Sequence, residues 1–302
     1  MSTTTVTAPR DRMGWLARIS DYVELSKPRI AFLVLITVAV AYWMACWGQP
    51  DLLLLGQLLA GTLLVACSAS SLNQWLERRR DALMERTANR PLPSARMSAI
   101  EAVGFAVITL VLGASILLRA VGWQPLAWAV LTWILYVAAY TPLKSRTSLN
   151  TAVGAVGGAM PVFIGWSAAG GVYDLRVASL YLILFLWQFP HFMAIAWMYR
   201  KQYARAGMKM LPVVDPTGRR TGLNVLFAAL VLIPVSLVPA AFLPGINAAL
   251  YAVAVLALGL LQLAFACAFV VRLNDLTARR LLRVTLVYLP TLLLLLVVIP
   301  WK

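Results

Sequence analysis

Residues 73–93 read NQWLERRRDALMERTANRPLP, from Asn73 to Pro93. The stretch gathers Asn73, Glu77, Asp81 and Glu85 with Arg78, Arg79, Arg80, Arg86 and Arg90. It lies between two segments, 52–74 and 98–118, that are apolar enough to span a bilayer. Carboxylates and guanidinium groups are costly to desolvate at a membrane boundary, so such a cluster asks for a polar ligand. Acids at four-residue spacing, followed at once by arginines, suit a metal-bound phosphate or diphosphate.

Composition explains why the cluster sits at a membrane. Of the 302 residues, 62% are hydrophobic and 12% charged, about half the charged share of a soluble domain. Mean hydropathy is +0.82. The apolar residues come in long runs, not short alternating segments, which selects helices over a β-barrel. Nine runs approach the ~20 residues a bilayer needs: approximately 30–47, 52–74, 98–118, 123–141, 151–169, 175–199, 223–243, 246–271 and 284–300. The expected class is all-α and integral to the membrane, with the lipid bilayer as solvent and no nucleic-acid partner. Residues 1–20 are expected to be a flexible cytoplasmic N-terminus and 21–302 a single membrane-embedded domain.

The net charge of +15 is informative through its placement. With the N-terminus inside, 23 of the 26 Lys and Arg residues lie in cytoplasmic segments, leaving Arg119, Arg176 and Lys302 outside. The positive-inside rule then puts the N-terminus in the cytoplasm and the C-terminus outside. Residues 1–13 are polar and lack an apolar core with a cleavage site, so no secretory signal is expected. A bacterial plasma (inner) membrane is the expected location. Cys46, Cys67 and Cys267 fall in apolar segments and read as small hydrophobes, not as a disulfide framework or metal site.

Span 2 should run on as a helix past the bilayer, because Leu72, Trp75, Leu76 and Leu83 keep helical spacing. On that helix Asn73, Glu77 and Asp81 advance by about 40° and ~6 Å per step, so they share an ~80° sector. Three oxygen donors on one face suit Mg²⁺, which keeps several waters and prefers one or two carboxylates plus phosphate oxygens. The alternative is a solvated helix end with the acids paired to neighbouring arginines. On spacing alone both readings stand. Arg86 and Arg90, also four apart, can grip an anion with their guanidinium forks or anchor to anionic lipid headgroups. Arg78, Arg79 and Arg80 are expected to do the latter. Pro91 and Pro93 should end the helix and hold Arg-Pro-Leu-Pro extended. Glu101 should reach the interface, with Arg96 as its partner.

His191 is the one histidine, within LWQFPHF at 186–192. Trp187, Gln188 and His191 interrupt span 6, and Pro190 loosens its hydrogen bonds. An ionisable residue inside a membrane segment is a functional candidate by default. Its imidazole can ligate a haem iron, act as an acid or base, or knit span 6 to a neighbouring helix. Gly154 and Gly158 form a GxxxG spacing that close helix packing explains by itself.

At this point the residues resemble a family. Asn73-x3-Glu77-x3-Asp81-x2-Met84-x-Arg86-Thr87-x2-Arg90-Pro91-Leu92 is similar to the first acidic motif of the UbiA-type prenyltransferases, and in detail to their protohaem IX farnesyltransferase branch. LSKPR at 25–29, YTPLK at 140–144 leading to Asn150, and WQFPHF at 187–192 agree, over about residues 20–300. The last element is the most specific to that branch. The resemblance implies nine helices around a central cavity open to the cytoplasm. It implies that Asn73, Glu77 and Asp81 hold Mg²⁺ on farnesyl diphosphate. Arg86 and Arg90, with Lys27, Arg29 and Lys144 or Arg146, would neutralise the diphosphate. Trp187, Gln188, His191 and Tyr203 would bind near the acceptor, haem B. The implied product is haem O, with haem A synthase or terminal-oxidase assembly factors as downstream partners. Two other readings stand beside it: a prenyltransferase for an aromatic or quinone precursor, and a membrane haem carrier without catalysis.

The chain also departs from the pattern. Where the family has an acid before the tyrosine after span 6, this chain has Lys201-Gln202-Tyr203. Segment 200–222 holds a single acid, Asp215, so the second acidic motif of the wider superfamily is absent.

Overall fold

A bilayer offers backbone amides no water, and this chain answers with helices that satisfy their own hydrogen bonds. The computed structural model describes residues 10–47 and 49–299, with side chains from residue 14 onward. Among these residues nine helices are long and apolar enough to cross a membrane. They are α2 Pro28–Ala45, α3 Leu52–Asp81, α4 Ala99–Val121, α5 Trp123–Leu143, α6 Asn150–Ala168, α7 Leu175–Met198, α10 Arg219–Phe242, α11 Gly245–Val271 and α12 Asp275–Val298. Three shorter helices complete the order: α1 Arg10–Leu25, α8 Arg200–Arg205 and α9 Leu211–Val214.

The helix starts follow from their capping residues. Asp51 accepts from Leu53 and Leu54 N–H at 2.9 and 3.0 Å to open α3. Ser98 and Glu101 form a reciprocal capping box at the head of α4. Asn274 accepts from Thr277 N–H at 2.9 Å and opens α12. α12 therefore begins nine residues before the expected span, and Arg279, Arg280 and Arg283 lie in its first turns. The hydropathy reading stopped at those charges, whereas the helix continues into the polar zone.

α7 is the most buried of the nine and packs against α6, α10 and α12. The largest core cluster joins Trp166, Trp187, Tyr251 and Tyr288 from four helices. Its polar atoms are paired: Ser236 Oγ and Tyr288 OH are 2.6 Å apart, and Tyr251 OH donates to Ser236 O at 3.0 Å. α3 and α4 cross closely enough that a Cβ on Gly113 would lie 2.7 Å from the carbonyl oxygen of Gly61. The last turns of α5 widen into a π-helix over Leu135–Tyr140, a distortion common near functional sites.

Three local expectations need correction. Residues 10–20, read as flexible, belong to α1, while residues 1–9 lie outside the described residues. α1 presents Trp15, Leu16, Ile19 and Val23 outward. It is too short and too charged to register as a span. Arg90-Pro91-Leu92-Pro93 is a series of turns and not extended. Ser94 N–H bonds to Arg90 O at 3.0 Å and Met97 N–H to Pro91 O at 3.0 Å, with Ala95 left-handed at φ 57°. Glu101 pairs with Arg18 of α1. Arg96 instead holds Asp21, Glu24 and the carbonyl of Asn89, so α1 is tied to the turns that follow α3.

Candidate active site

The end of α3 sets the site. It runs unbroken to Asp81, so Asn73, Glu77 and Asp81 stand on successive turns of one face, and all three are buried. Burying two carboxylates is costly unless each finds a partner. Each does, and so does Asn73, from a different part of the chain.

Lys27 Nζ donates to Asn73 Oδ1. The lysine links α1 to α2 in a left-handed conformation, φ 50° and ψ 64°, a strain of about 1–2 kcal/mol for a side-chain-bearing residue. Gln74 secures this corner by donating to the carbonyls of Leu25 and Glu24 at 2.9 and 3.2 Å. Asn73 Nδ2 donates to Thr141 Oγ1 at 2.8 Å, and that hydroxyl donates to Tyr136 O inside the π-helix. The amide is thereby oriented with its oxygen toward Lys27.

Lys144 follows α5 and faces Glu77. Its Nζ is 2.9 Å from Oε1 and 3.2 Å from Oε2, aligned to donate only to Oε2. Glu77 Oε1 is buried and accepts no hydrogen bond. The ammonium also lies 4.5 Å from the Tyr140 ring centre. The Lys144 backbone is pinned, since Lys209 N–H donates to its carbonyl at 2.7 Å and Asn150 Nδ2 donates to Lys209 O at 3.1 Å. Arg90 Nη1 completes the set at 2.8 Å from Asp81 Oδ2. The turns after α3 fold back to deliver it, and Thr87 Oγ1 fixes them on Asp81 O at 2.9 Å.

The two lysines outside the spans respond in opposite directions. Burial and the cations Arg90 and Lys144 push the Lys27 pKa down to about 7, against the pull of Glu77 and Asp81. Burial opposes the Lys144 charge as well, but Glu77, in direct contact, outweighs it together with Tyr140 and Tyr136 and raises the pKa.

The remaining expected residues divide. Arg86 lies over the rings of Tyr199 and Tyr203, 5.0 and 6.0 Å from their centres, and donates to Tyr203 OH at 3.3 Å. Arg29 and Arg146 are exposed, so of the pair Lys144 and Arg146 it is Lys144 that reaches the acids. Asp215 accepts from Thr221 N–H and Oγ1 at 2.9 and 3.1 Å and from Thr217 Oγ1 at 3.0 Å. Its oxygens cap the start of α10. Burial works against its charge, yet these donors hold its carboxyl below the ordinary value.

On α7, Trp187 and Gln188 are buried and His191 is half-buried. Gln188 Nε2 donates to Ala155 O at 3.0 Å and to Leu184 O at 3.2 Å. A Cβ on Gly158 would overlap its amide, so this glycine makes room for Gln188 as well as for helix packing. His191 stacks on Trp187 with ring centres 4.6 Å apart, and both bond to Thr285 of α12. Gln74 and Thr285 carry no signal in the sequence, and Thr141 enters there only as part of the YTPLK element, with no role of its own. They are ordinary polar residues in apolar spans, and only the packing reveals their partners.

The donor set fits a magnesium ion shared with a substrate. Asn73, Glu77 and Asp81 offer an amide oxygen and two carboxylates, and Glu77 Oε1 is buried and accepts no aligned hydrogen bond, although the Lys144 ammonium lies 2.9 Å away. Among the described residues no three His, Cys, Asp or Glu side chains form a metal cage. Magnesium needs none, because phosphate oxygens and water complete its shell.

A sequence profile of the UbiA prenyltransferase family matches residues 34–297. The chain is 43% identical over 286 residues to a protein named protoheme IX farnesyltransferase from Solibacter usitatus, covering 89% of this chain and 95% of that one. A protein of the same name from Rhodopirellula baltica is 42% identical over 280 residues, covering 90% and 97%. Among solved structures, a digeranylgeranylglyceryl phosphate synthase superposes with a TM-score of 0.77 at 18% identity, covering 95% of this chain and 99% of that one. A UbiA homologue from Archaeoglobus fulgidus bound to GPP and Mg²⁺ superposes at 0.69 with 14% identity, covering 92% and 99%. At these identities the structures speak for the fold.

Proposed function

We propose that this chain, which belongs to the UbiA prenyltransferase family, transfers a farnesyl group from farnesyl diphosphate to a vinyl group of haem B. The observation that carries the reading is the buried ladder of Asn73, Glu77 and Asp81 with one basic group opposite each rung. The relatives named above supply the substrates.

Asn73, Glu77 and Asp81 would hold magnesium, which when bound would supply neutralising charge to the departing diphosphate. Arg90, Lys144 and Lys27 stand on the same face and bind the diphosphate oxygens, Arg90 through its guanidinium fork. Arg86, at the mouth of the site beside Tyr203, adds a further positive charge. The allylic C1–O bond breaks and diphosphate leaves with the electron pair. The terminal vinyl carbon of haem B captures the farnesyl cation, and water adds to the carbon next to the pyrrole. One proton is released and haem O is formed.

Ring contacts from Trp128 of α5 through Phe163 of α6 to Tyr181, Phe185 and Phe189 of α7, with centres 4.7–6.2 Å apart, form a continuous row. They suit an apolar isoprenoid chain, and their faces favour a nearby cation. The lysine and arginine distribution supports a placement in which the charged ends of α3 and α5 face the cytoplasm of a bacterial inner membrane. Membranes containing the chain should convert haem B and farnesyl diphosphate to haem O when magnesium is supplied, read by haem extraction and chromatography. Prenylation of an aromatic acid or quinone precursor, with haem B untouched, would overturn the acceptor.

A further inference from the structure

Thr285 is fully buried in α12 and nothing in the reaction above requires it, yet it holds both side chains that distinguish α7. Its carbonyl accepts from Trp187 Nε1 at 2.8 Å, and its Oγ1 lies 3.0 Å from His191 Nδ1. The same Oγ1 is 2.7 Å from the carbonyl oxygen of Leu282.

These two contacts fix the protons. A carbonyl oxygen has none to give, so a 2.7 Å oxygen–oxygen contact needs the threonine hydroxyl proton between its atoms. A hydroxyl carries one proton, and with that proton directed to Leu282 the oxygen has only lone pairs to offer His191. The imidazole must then be the donor through Nδ1–H. In a neutral imidazole a protonated Nδ1 leaves Nε2 bare, with its lone pair available. Stacking on Trp187, with ring planes 23° apart, holds the orientation of the ring as well.

We infer that Thr285 is a positioning residue that locks His191 as the Nδ1–H tautomer, so that Nε2 serves as an axial ligand to the iron of the haem acceptor. The inference rests on the haem reading given above. Histidine ligands to metals are commonly oriented in this way, by a hydrogen bond from the ring nitrogen that does not touch the metal. An Nε2–H tautomer would place a proton where the iron must bind, and Trp187 stacking alone would not prevent it.

Because His191 is the only histidine in the chain, nitrogen-15 labelling of histidine reports this one ring. In full-length protein in lipid nanodiscs without haem, wild type and Thr285→Ser should show a protonated Nδ1 and a bare Nε2. Thr285→Val, which keeps shape but removes the acceptor, should shift the ring toward Nε2–H. On adding haem B, wild type and Thr285→Ser should show the absorption spectrum of nitrogen-ligated iron. Thr285→Val should bind haem about 10–100-fold more weakly, the usual loss when a ligand's supporting bond is removed. His191→Gly should lose the spectrum and regain it with free imidazole. A wild-type ring protonated at Nε2, or a Thr285→Val protein with unaltered tautomer and haem spectrum, overturns the inference. If wild type has the Nδ1–H tautomer but neither binds haem B nor makes haem O, the haem reading itself has failed. The serine variant and the thermal midpoint of the valine variant separate loss of the hydrogen bond from loss of fold.

Discussion

Replacing Glu77 by Gln removes one charge from a buried pair and leaves the Lys144 ammonium without its carboxylate. At 2.9 Å, and with an effective dielectric constant of ~20, the gross Coulomb attraction is about 6 kcal/mol. Desolvation of both groups offsets much of that, and breaking such a pair from one side costs about 3–5 kcal/mol. The glutamine oxygen can still accept from Lys144, and the Tyr140 ring still faces the ammonium. The expected loss for Glu77→Gln is therefore near the low end, ~3 kcal/mol. Lys144→Met alone strands the buried carboxylate without its one donor and should cost a similar amount. The double variant Glu77→Gln/Lys144→Met carries no stranded charge, and should be more stable than the sum of the single losses by about 2–3 kcal/mol. Denaturant unfolding in a fixed detergent measures the cycle. Haem O formation should stay lost in the double variant, because neither the metal ligand nor the phosphate cation is restored. Additive losses in stability, or recovered turnover in the double variant, would refute the reasoning.

Arg90→Lys should keep the charge beside Asp81 but lose the two-point grip. Its haem O formation should fall with a rise in KM for farnesyl diphosphate, measured by varying that substrate at saturating haem B. Gly158→Ala pushes a methyl group into Gln188, and should lower stability by about 1–3 kcal/mol through overpacking, read as a reduced unfolding midpoint. Asp215→Asn tests whether that acid is a cap or a second metal ligand. An amide can still cap, so turnover at saturating magnesium should be unchanged, whereas a ligand role would abolish it. The folded-state pKa of Asp215 is depressed, so its charge stabilises the fold above the unfolded carboxylate range and this contribution fades as pH falls through the folded value. The stability gap between wild type and Asp215→Asn should accordingly close on acidification, in thermal melts at stepped pH.

The nine membrane-spanning helices were legible because hydropathy acts over whole spans. The ladder was legible for a different reason. Four-residue spacing on a helix is geometry, so Asn73, Glu77 and Asp81 had to share a face once α3 continued past the bilayer. Their cations were harder to read. Lys27, Lys144 and Arg90 come from three connections, and whether Lys144 or Arg146 turns inward depends on how Asn150 and Lys209 pin that connection. Charges also misled where a helix was capped. Arg279, Arg280 and Arg283 ended the hydropathy span, but Asn274 starts α12 before them. Proline suggested extended backbone at 90–93, where Thr87 and Arg90 instead fold the chain back onto Asp81. Thr285 had no sequence signal, since a threonine in an apolar span usually bonds to its own helix.

The most direct measurement is the haem content of cells that lack their own haem O-forming enzyme and express this chain. The extracted pigment should include a haem heavier than haem B by one farnesyl and one hydroxyl group, and it should disappear in the Glu77→Gln/Asp81→Asn variant expressed to the same level. Haem B alone in cells with abundant, folded wild-type protein, or unchanged haem O in the double variant, would contradict the account.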